Sequence, residues 1–277
     1  MEDARYDEIG YWSEVKLAIV REYAQAYSTI LTGNKLHHLY VDAFAGPGVH
    51  VSKRTGGFVA GSPLNALEVS PPFKEYHLID LDGDKAESLR RLALEYQAAD
   101  VRVYEGDCNK VLLEQVFPRV KWGDFRRALC LLDPYGIDLD WKVVQSAGHM
   151  ETIDLFLNFM VMDANMNVLW HDPERVSPEQ LARMDRFWGD RSWRNEAYTK
   201  TEGLFGQMED KAPNEAIAKA FQDRLKKVAG FAYVPDPMPM RNAKGAVIYY
   251  LFFASQKPVA QDIVTDIFNK YRDKGAI

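Results

Sequence analysis

Short apolar segments alternate with amphipathic helical segments through more than half of the chain, and this alternation restricts the possible folds more than any other feature. The apolar runs predicted as strands are 38–44, 76–81, 101–105, 128–133 and 153–159. Helices are predicted over 12–31 and from about Ser62, Gly83, Asn109 and Asp140. Strands connected through helices form parallel sheets whose two faces are covered by those helices. The sequence therefore predicts a doubly wound α/β domain.

The second half of the chain departs from this alternation. Residues 163–229 are rich in Trp, Arg and Met and follow mostly helical patterns, so we predict a helical cap inserted into the domain. Strand character returns at 231–234 and 246–254, which are predicted to form a closing hairpin at the sheet edge, before a last helix over 258–271. We expect residues 1–277 to form one domain.

Composition excludes several classes of protein. The two cysteines, Cys108 and Cys130, are too few for a disulfide framework, a closed zinc site or an iron–sulfur cluster, and no metal site is predicted. A net charge of −6 argues against a protein whose main task is to coat nucleic acid, although it leaves room for a local basic groove. The acidic first residues lack a signal-peptide core and no apolar run is long enough to span a membrane, so we expect a cytoplasmic protein.

Polar residues and glycines follow the predicted strands, at the ends where doubly wound sheets bind ligands. They are Asp42, Ala45, Gly46 and Gly48 in VDAFAGPG, Asp80 and Asp82 in HLIDLD, Asp107 and Cys108 in GDCN, and Asp133 and Tyr135 in DPYG. Each segment also has a purely structural interpretation, because glycine turns are common and an acid after a strand often caps the next helix. The combination is more specific than its parts.

Together, the strand ends indicate one class of ligand. A carboxylate after the second strand, at Asp80, can accept hydrogen bonds from both hydroxyls of a ribose, and one after the third, at Asp107, can accept from an adenine amino group. The dinucleotide fingerprint G-x-G-x-x-G and the phosphate loop G-x-x-x-x-G-K-[ST] are both absent. The first loop carries Asp42 instead, which suits a cationic amino acid. Adenosine joined to a cationic amino acid without phosphate describes S-adenosylmethionine.

VDAFAGPG, HLIDLD, GDCN and LLDPYG, in this order, resemble the motifs of class I S-adenosylmethionine-dependent methyltransferases. Over nearly its full length the chain also resembles the three-Cys-motif partner protein family. Further residues that carry this second resemblance are Trp12, Lys16 and Leu17 in the opening helix, the segment GSPLNAL, Trp141, and the stretches Phe187-Trp188-Gly189 and Trp193-Arg194.

These resemblances imply a seven-stranded, mostly parallel sheet and a set of cofactor contacts. The implied contacts are Asp42, Ala45, Gly46 and Gly48 at the methionine end, Asp80 at the ribose, and Asp107 with its neighbour Cys108 at the adenine. The family is named for its association with a separate protein that carries three cysteines, which suggests a radical-type iron–sulfur partner. The resemblance assigns no reaction to the family.

The DPYG segment bears on the reaction. Amino-methylating enzymes that act on adenine or cytosine carry Asp or Asn followed by Pro-Pro-Tyr, whereas here a single proline precedes Tyr135, as in the DPFG of tRNA guanine-N2 methyltransferases. Methyl transfer requires alignment of the reacting atoms and a base for the departing proton. We assign Asp133 as that base and Tyr135 as a stacking or orienting residue, and expect His50 to be the histidine that comes nearest to the site.

Three functions remain open at this point. The first is a methyltransferase acting on a nucleobase or on another amine or hydroxyl group, and the second is an accessory subunit of a three-Cys protein. The third is methylation or processing of nucleic acid, which rests on the DPYG segment and on arginines and aromatic residues of the cap that could bind a strand. Acids lie among these arginines, so simple ion pairing is the favoured interpretation of the cap itself. The cap residues concerned are Arg175, Arg183, Arg186, Arg191, Arg194, Phe187, Trp188, Trp193 and Tyr198, with Asp185, Asp190 and Glu196 among them.

Overall fold

A computed structural model describes residues 7–203, 206–242 and 244–272 of the chain. Its strands are β1 (Asp7–Ile9), β2 (His37–Asp42), β3 (Val49–Ser52), β4 (Phe58–Ala60), β5 (Glu75–Asp80), β6 (Val101–Glu105), β7 (Arg126–Leu132), β8 (Ile153–Phe159), β9 (Tyr198–Gly203), β10 (Gly206–Lys211), β11 (Met238–Arg241) and β12 (Val247–Ala254). Its α-helices are α1 (Tyr11–Gly33), α2 (Ser62–Leu67), α3 (Gly83–Glu95), α4 (Cys108–Val111), α5 (Trp141–Met150), α6 (Val161–Asn167), α7 (Pro178–Trp188), α8 (Trp193–Ala197), α9 (Asn214–Lys227) and α10 (Pro258–Arg272).

The centre of the structure is a seven-stranded sheet in the order β11-β12-β8-β7-β2-β5-β6. Strands β6, β5, β2, β7 and β8 pair in parallel, whereas β12 runs antiparallel to both of its neighbours. From β2 the chain continues to β5 and β6 on one side of the sheet and then returns to β7 and β8 on the other side of β2. A change of direction of this kind opens a crevice at the carboxyl ends of the strands. The predicted fold class, a doubly wound and mostly parallel seven-stranded sheet, is confirmed.

Each face of the sheet is covered by its own hydrophobic core. Along β2, Leu39 and Val41 belong to the core under α5 and α9, whereas Tyr40 belongs to the core under α1 and α10. This alternation follows from the two-residue period of a strand, which points successive side chains to opposite faces. In the described part of the chain, no helix is long and apolar enough to cross a membrane.

One of the predicted elements is wrong in detail. The hairpin partner of β12 is β11 (Met238–Arg241) and not 231–234, which contributes only a bridge between Tyr233 and Ser255. Phe231 and Val234 are buried in the core instead, so the aromatic and β-branched pattern of that segment reflects burial. Strand β11 contains Pro239, which lacks a backbone N–H and is tolerated because this strand lies at the sheet edge.

The predicted cap over 163–229 contains the helices α7, α8 and α9 and, in addition, a hairpin that the helical pattern did not predict. Strands β9 and β10 pair antiparallel within it, and α9 packs its buried residue Phe221 onto the sheet beside Phe252. The sequence pattern also missed a small sheet in the order β1-β3-β4, because strands of three or four residues are too short to show a period. This small sheet lies at the candidate site.

Candidate functional site

A cavity of about 290 Å³ lies at the carboxyl ends of β2 and β7. Its walls come from the glycine loop after β2, the DPYG segment after β7, the first turns of α1, and β1. Of the residues predicted for the site, Ala45, Gly46, Asp133 and Tyr135 line this cavity. The remaining predicted residues lie beneath it or at the neighbouring strand ends.

The glycine loop has a backbone that other residues adopt only with strain. Gly46 and Gly48 have φ angles of 64° and 85°, in the left-handed region that glycine enters without steric cost. The loop also packs tightly against the start of GSPLNAL: the N–H of Gly61 donates to the carbonyl of Gly48 at 2.8 Å, and a Cβ at Gly61 would lie 2.8 Å from that oxygen. This close contact between the two backbones leaves no room for a side chain at Gly61.

The two acids of HLIDLD have different tasks. Asp80 accepts hydrogen bonds from the N–H of Gly46 at 2.8 Å and from the N–H of Asp82 at 2.9 Å, so it joins the second strand end to the glycine loop. Asp82 caps α3, accepting from the N–H groups of Asp84 and Lys85. Asp80 is thus the acid that faces the crevice side of the sheet, because it contacts the glycine loop whereas Asp82 contacts its own helix.

Asp107 and Cys108 lie one strand further out, after β6. Asp107 is exposed and caps α4 by accepting from the N–H of Asn109 at 2.9 Å. Cys108 is buried, and burial raises the pKa of its thiol to about 12, so the sulfur carries its proton. Asn109 also accepts from the N–H of Asp140 at 2.8 Å, which ties this strand end to the segment after DPYG.

Asp42 is fully buried beneath the glycine loop and does not reach the cavity, although the resemblance placed it at the methionine end of the cofactor. Its carboxylate accepts from the hydroxyl of Tyr40 at 3.2 Å and from the N–H of Phe44 at 3.3 Å. Burial raises the pKa of Asp42 to about 6, against the opposing hydrogen bond from Ser62. The geometry makes Asp42 a support for the loop.

Asp133, the predicted base, is held by two buried partners. The ammonium of Lys16 on α1 and the side-chain amide of Asn158 at the end of β8 both donate to its carboxylate, one to each oxygen. Lys16 is 8% exposed and Asn158 is 1% exposed. Neither residue is assigned to the site by the sequence patterns. A signal for Lys16 was present, since it lies between the buried apolar residues Val15 and Leu17 and a buried ammonium requires a counter-charge.

Tyr135 lies at the mouth of the cavity, with 73% of its surface exposed. The ammonium of Lys85 lies 3.3 Å from its hydroxyl, 5.3 Å from the centre of its ring, and 2.7 Å from the carboxylate of Asp7 on β1. Burial by itself would lower the pKa of Lys85, but the hydrogen bonds to Asp7 and Tyr135 outweigh it and raise the pKa. These contacts attach the small sheet to the rim.

Two polar atoms of the cavity wall have no partner among the described residues. They are Nδ1 of His50 on β3 and Oδ1 of Asn158, both buried. Burial lowers the pKa of His50, so its ring is neutral near pH 7. Since buried polar atoms in native proteins are rarely unsatisfied, these two atoms are suited to contact a bound molecule. His50 therefore reaches the site, as expected from the sequence.

The cap arginines are paired with acids. Arg183 contacts Asp138 and Asp163, Arg191 contacts Asp185, Arg194 contacts Glu174 and Glu209, and Arg175 contacts Asp172. The aromatic rings of Phe187, Trp188 and Trp193 are buried in the core. These contacts favour the ion-pairing interpretation of the cap, with its aromatic side chains fixing it to the sheet.

The strand order, the one reversed strand and the glycine- and acid-bearing strand ends define a class I methyltransferase-like fold. No family model and no curated protein matches the sequence. Among solved structures, protein LPL1258 from Legionella pneumophila is similar over 96% of this chain and 94% of its own, with 12% identity and a TM-score of 0.52, which shows a shared fold. The chain is also similar to a methyltransferase candidate from Thermobifida fusca, with 12% identity over 87% of this chain and 82% of the other and a TM-score of 0.40. A third similar structure is the DszA carbon methyltransferase, with 15% identity over 79% of this chain and 47% of the other and a TM-score of 0.37.

Proposed function

We propose that this protein is an S-adenosylmethionine-dependent methyltransferase. The observation that carries the proposal is the hydrogen bond from the Gly46 N–H to Asp80, which brings the glycine loop and the second strand end together beside a cavity that contains Asp133. The residues present suit this cofactor: acids follow adjacent strands, the loop offers no cluster of phosphate donors, and buried unpartnered atoms line the wall. The resemblance of VDAFAGPG, HLIDLD, GDCN and LLDPYG to class I methyltransferase motifs supports the same assignment.

The chain's residues have separable roles in this proposal. Asp80 would accept from the ribose hydroxyls, Asp107 from the adenine amino group, and the backbone of the loop at Ala45 and Gly46 would contact the methionine end. The cofactor supplies an electrophilic methyl group on a sulfonium. The protein's main contribution is then alignment of the acceptor, which by itself lowers the barrier substantially.

Asp133 is proposed to receive the proton that leaves the acceptor. Lys16 and Asn158 hold its carboxylate in one orientation, so the base is positioned before an acceptor arrives. Tyr135, exposed at the rim, would contact the acceptor from the open side. The acceptor is proposed to be a nucleobase amine or another amine or hydroxyl group that is small enough, at the reacting end, to enter the cavity.

Calorimetric titration with S-adenosylmethionine and S-adenosylhomocysteine tests cofactor binding, and two neighbouring acids supply a matched pair of variants. Asp80→Asn removes the charge that faces the loop, and since hydrogen bonds to a charged group contribute about 1.5–3 kcal/mol, affinity should fall about 10- to 100-fold. Asp82→Asn should leave affinity unchanged, because asparagine is an equally good helix cap. Absence of binding to the folded wild-type protein at millimolar cofactor would refute the proposal.

The chemical step is tested by transfer of a radiolabelled methyl group from the cofactor to pooled RNA, DNA and protein fractions. Asp133→Asn should lower the transfer rate about 100-fold or more, the usual range for loss of a general base, while cofactor affinity stays near the wild-type value. Lys16→Met should lower the rate as well, since it releases the carboxylate. Equal rates for wild type and Asp133→Asn would remove Asp133 from the mechanism.

A second candidate function, an accessory subunit of a three-Cys iron–sulfur protein, is favoured by one observation. Both oxygens of Asp133 already accept hydrogen bonds, from Lys16 and from Asn158, so a proton acceptor role requires one of them to move. Under this proposal the cavity holds the cofactor or a substrate for the partner. Co-purification with a co-expressed three-Cys protein tests it, and methylation of a defined acceptor by this chain alone would contradict it.

A further inference from the structure

A second cavity, of about 310 Å³, opens at the end of the sheet where the parallel strands begin. It lies between α1 and the start of α10, and the apolar parts of its wall include Leu31, Ala260 and Ile263. Arg127, near the start of β7, also lines this cavity, whereas Asp133 follows the last residue of β7. The seven residues of this strand separate the cavity from Asp133 by about 20 Å, so an occupant here does not compete with a ligand at the candidate site.

The buried polar atoms in the wall of this second cavity have partners within the chain. The carboxylate of Asp154 accepts hydrogen bonds of 2.6 Å from the hydroxyls of Tyr23 and Ser255. Burial raises the pKa of Asp154, and the charges of Lys257 and Arg127 oppose that rise. Among the described residues, the wall contains no buried side-chain nitrogen or oxygen that lacks a hydrogen-bond partner. The cavity is therefore suited to an apolar occupant, and no charged ligand is needed to complete it.

Large apolar side chains are exposed around the mouth of this cavity. Ile30 and Val259 line it and are 36% and 50% exposed. Trp122 is 52% exposed, and the centre of its ring lies 3.9 Å from the guanidinium of Arg127 and 5.5 Å from the ammonium of Lys257, which both line the cavity. Exposed apolar residues that gather in one patch mark a site of association on a soluble protein.

Phe125 lies beside the same mouth and is 69% exposed. It precedes Arg127 by two residues, and its carbonyl accepts from the N–H of His37, which follows the lining residue Leu36. Its φ of 54° lies in the left-handed region, which glycine or asparagine adopts with less strain. The turn itself therefore does not require an aromatic residue. We call Ile30, Trp122, Phe125 and Val259, together with the cavity, the Phe125 face.

The charges around the Phe125 face have both signs. Two cations and two acids line the cavity, namely Arg127, Lys257, Glu151 and Asp154. The exposed residues Lys121 and Asp124, on either side of Trp122, also differ in sign. A face of mixed sign can match a copy of itself, because a twofold axis places each residue against a different residue of the other copy. Since the chain has a net charge of −6, two copies repel each other least where the local charges balance.

The cavity has room for an aromatic side chain. An apolar cavity of about 150 Å³ already binds benzene, so one of about 310 Å³ accepts the ring of a phenylalanine. We propose that two copies of this chain form a twofold-symmetric dimer in which Phe125 of each copy enters the cavity of the other, with Ile30, Trp122 and Val259 packed around it. The candidate sites lie at the opposite ends of the two sheets and stay open. This inference is independent of the proposed methyl transfer.

Sedimentation equilibrium of the whole chain without cofactor, from micromolar to near-millimolar concentration, tests the proposal. A mass near twice 31.7 kDa is expected, and it should fall towards that of one copy on dilution. Phe125→Asn should raise the dissociation constant at least about 100-fold, because the symmetry removes two buried rings at once. Its circular dichroism should remain that of the folded chain, since asparagine tolerates the left-handed conformation. Phe125→Leu keeps an apolar side chain and should retain most of the affinity.

A second variant tests the cavity from its own side. Ala260→Met extends a longer side chain from the wall, so it should raise the dissociation constant at least about tenfold. Leu94→Ala is the control, because it removes an apolar side chain that is 71% exposed on α3, and it should leave the constant unchanged. A wild-type chain that stays monomeric would overturn the proposal and assign the face to a different protein or a small apolar molecule. A dimer that forms equally well in Phe125→Asn and Ala260→Met would overturn it too, since the copies would then meet elsewhere.

Discussion

Glu75, at the start of β5, is the residue whose replacement should most clearly destabilise the fold. It is 5% exposed, and five cationic or ionisable side chains surround its carboxylate. They are Arg126, in direct hydrogen-bond contact, His37 at 2.9 Å, His77 at 3.3 Å, Arg119 at 3.4 Å and Arg102 at 3.8 Å. These residues come from five different strands or turns, so one carboxylate offsets part of the positive charge that the folding of the sheet brings together.

The pKa of Glu75 provides the magnitude. Burial raises this pKa, but the hydrogen bond and charge of Arg126, followed by His37 and Arg102, outweigh burial and lower it from 4.5 to about 2. A difference of roughly 2.5 units corresponds to about 3 kcal/mol in favour of the folded state. Because the pKa is lowered, this stabilisation is complete above about pH 4.5 and is lost as the pH falls towards 2.

Glu75→Gln should therefore lower the free energy of unfolding by about 3 kcal/mol at pH 7, as expected when one partner of a buried ion pair is removed. For a chain of 277 residues this is a decrease in melting temperature of about 5 °C, measured by circular dichroism. Asp100→Asn is the control, since its exposed pair with Arg102 should contribute less than about 1 kcal/mol. A difference between wild type and Glu75→Gln that stays constant from pH 5 to pH 2.5 would refute the electrostatic reasoning.

Three further variants test other parts of the fold by urea denaturation. Gly148→Ala should destabilise by about 3 kcal/mol or more, because a Cβ there would lie 1.9 Å from a backbone carbonyl oxygen. Arg224→Ala should cost about 2 kcal/mol and speed limited proteolysis of the cap, since its guanidinium lies 4.8 Å from the centre of the Trp141 ring and bonds the end of α7. Tyr23→Phe removes a 2.6 Å hydrogen bond to Asp154, whose pKa burial raises, so it should cost about 1–3 kcal/mol at pH 7 and less at pH 4.

Most of the sheet could be predicted because its strands are buried on both faces. Such strands read as continuous apolar runs, and the helices between them show their own period, so β2, β5, β7 and β8 were identified correctly. Edge and surface strands carry a weaker signal, although β6, at one edge of the sheet, was also predicted. Strand β11, which contains Pro239, and the hairpin of β9 and β10 pair through backbone groups whose partners cannot be inferred from the local sequence.

The candidate site was predicted in part for a similar reason. Residues after parallel strands gather at one end of the sheet whatever the details of packing, which is why Gly46, Asp80 and Asp133 lie near one another. Their individual environments depend on residues that are distant in sequence. Lys16 reaches Asp133 across 117 positions, and the depth at which Asp42 is buried depends on how α2 covers the loop.

The sequence by itself thus determined the fold class and the end of the sheet at which a ligand would bind, because periodicity and glycine requirements are local properties. Only the tertiary structure decided that Asp133 is paired with Lys16 and Asn158, that Asp42 supports the loop from beneath, and that the cap arginines are paired with acids. Charge pairing and burial depend on which distant segments meet, and that information exists only once the chain has folded.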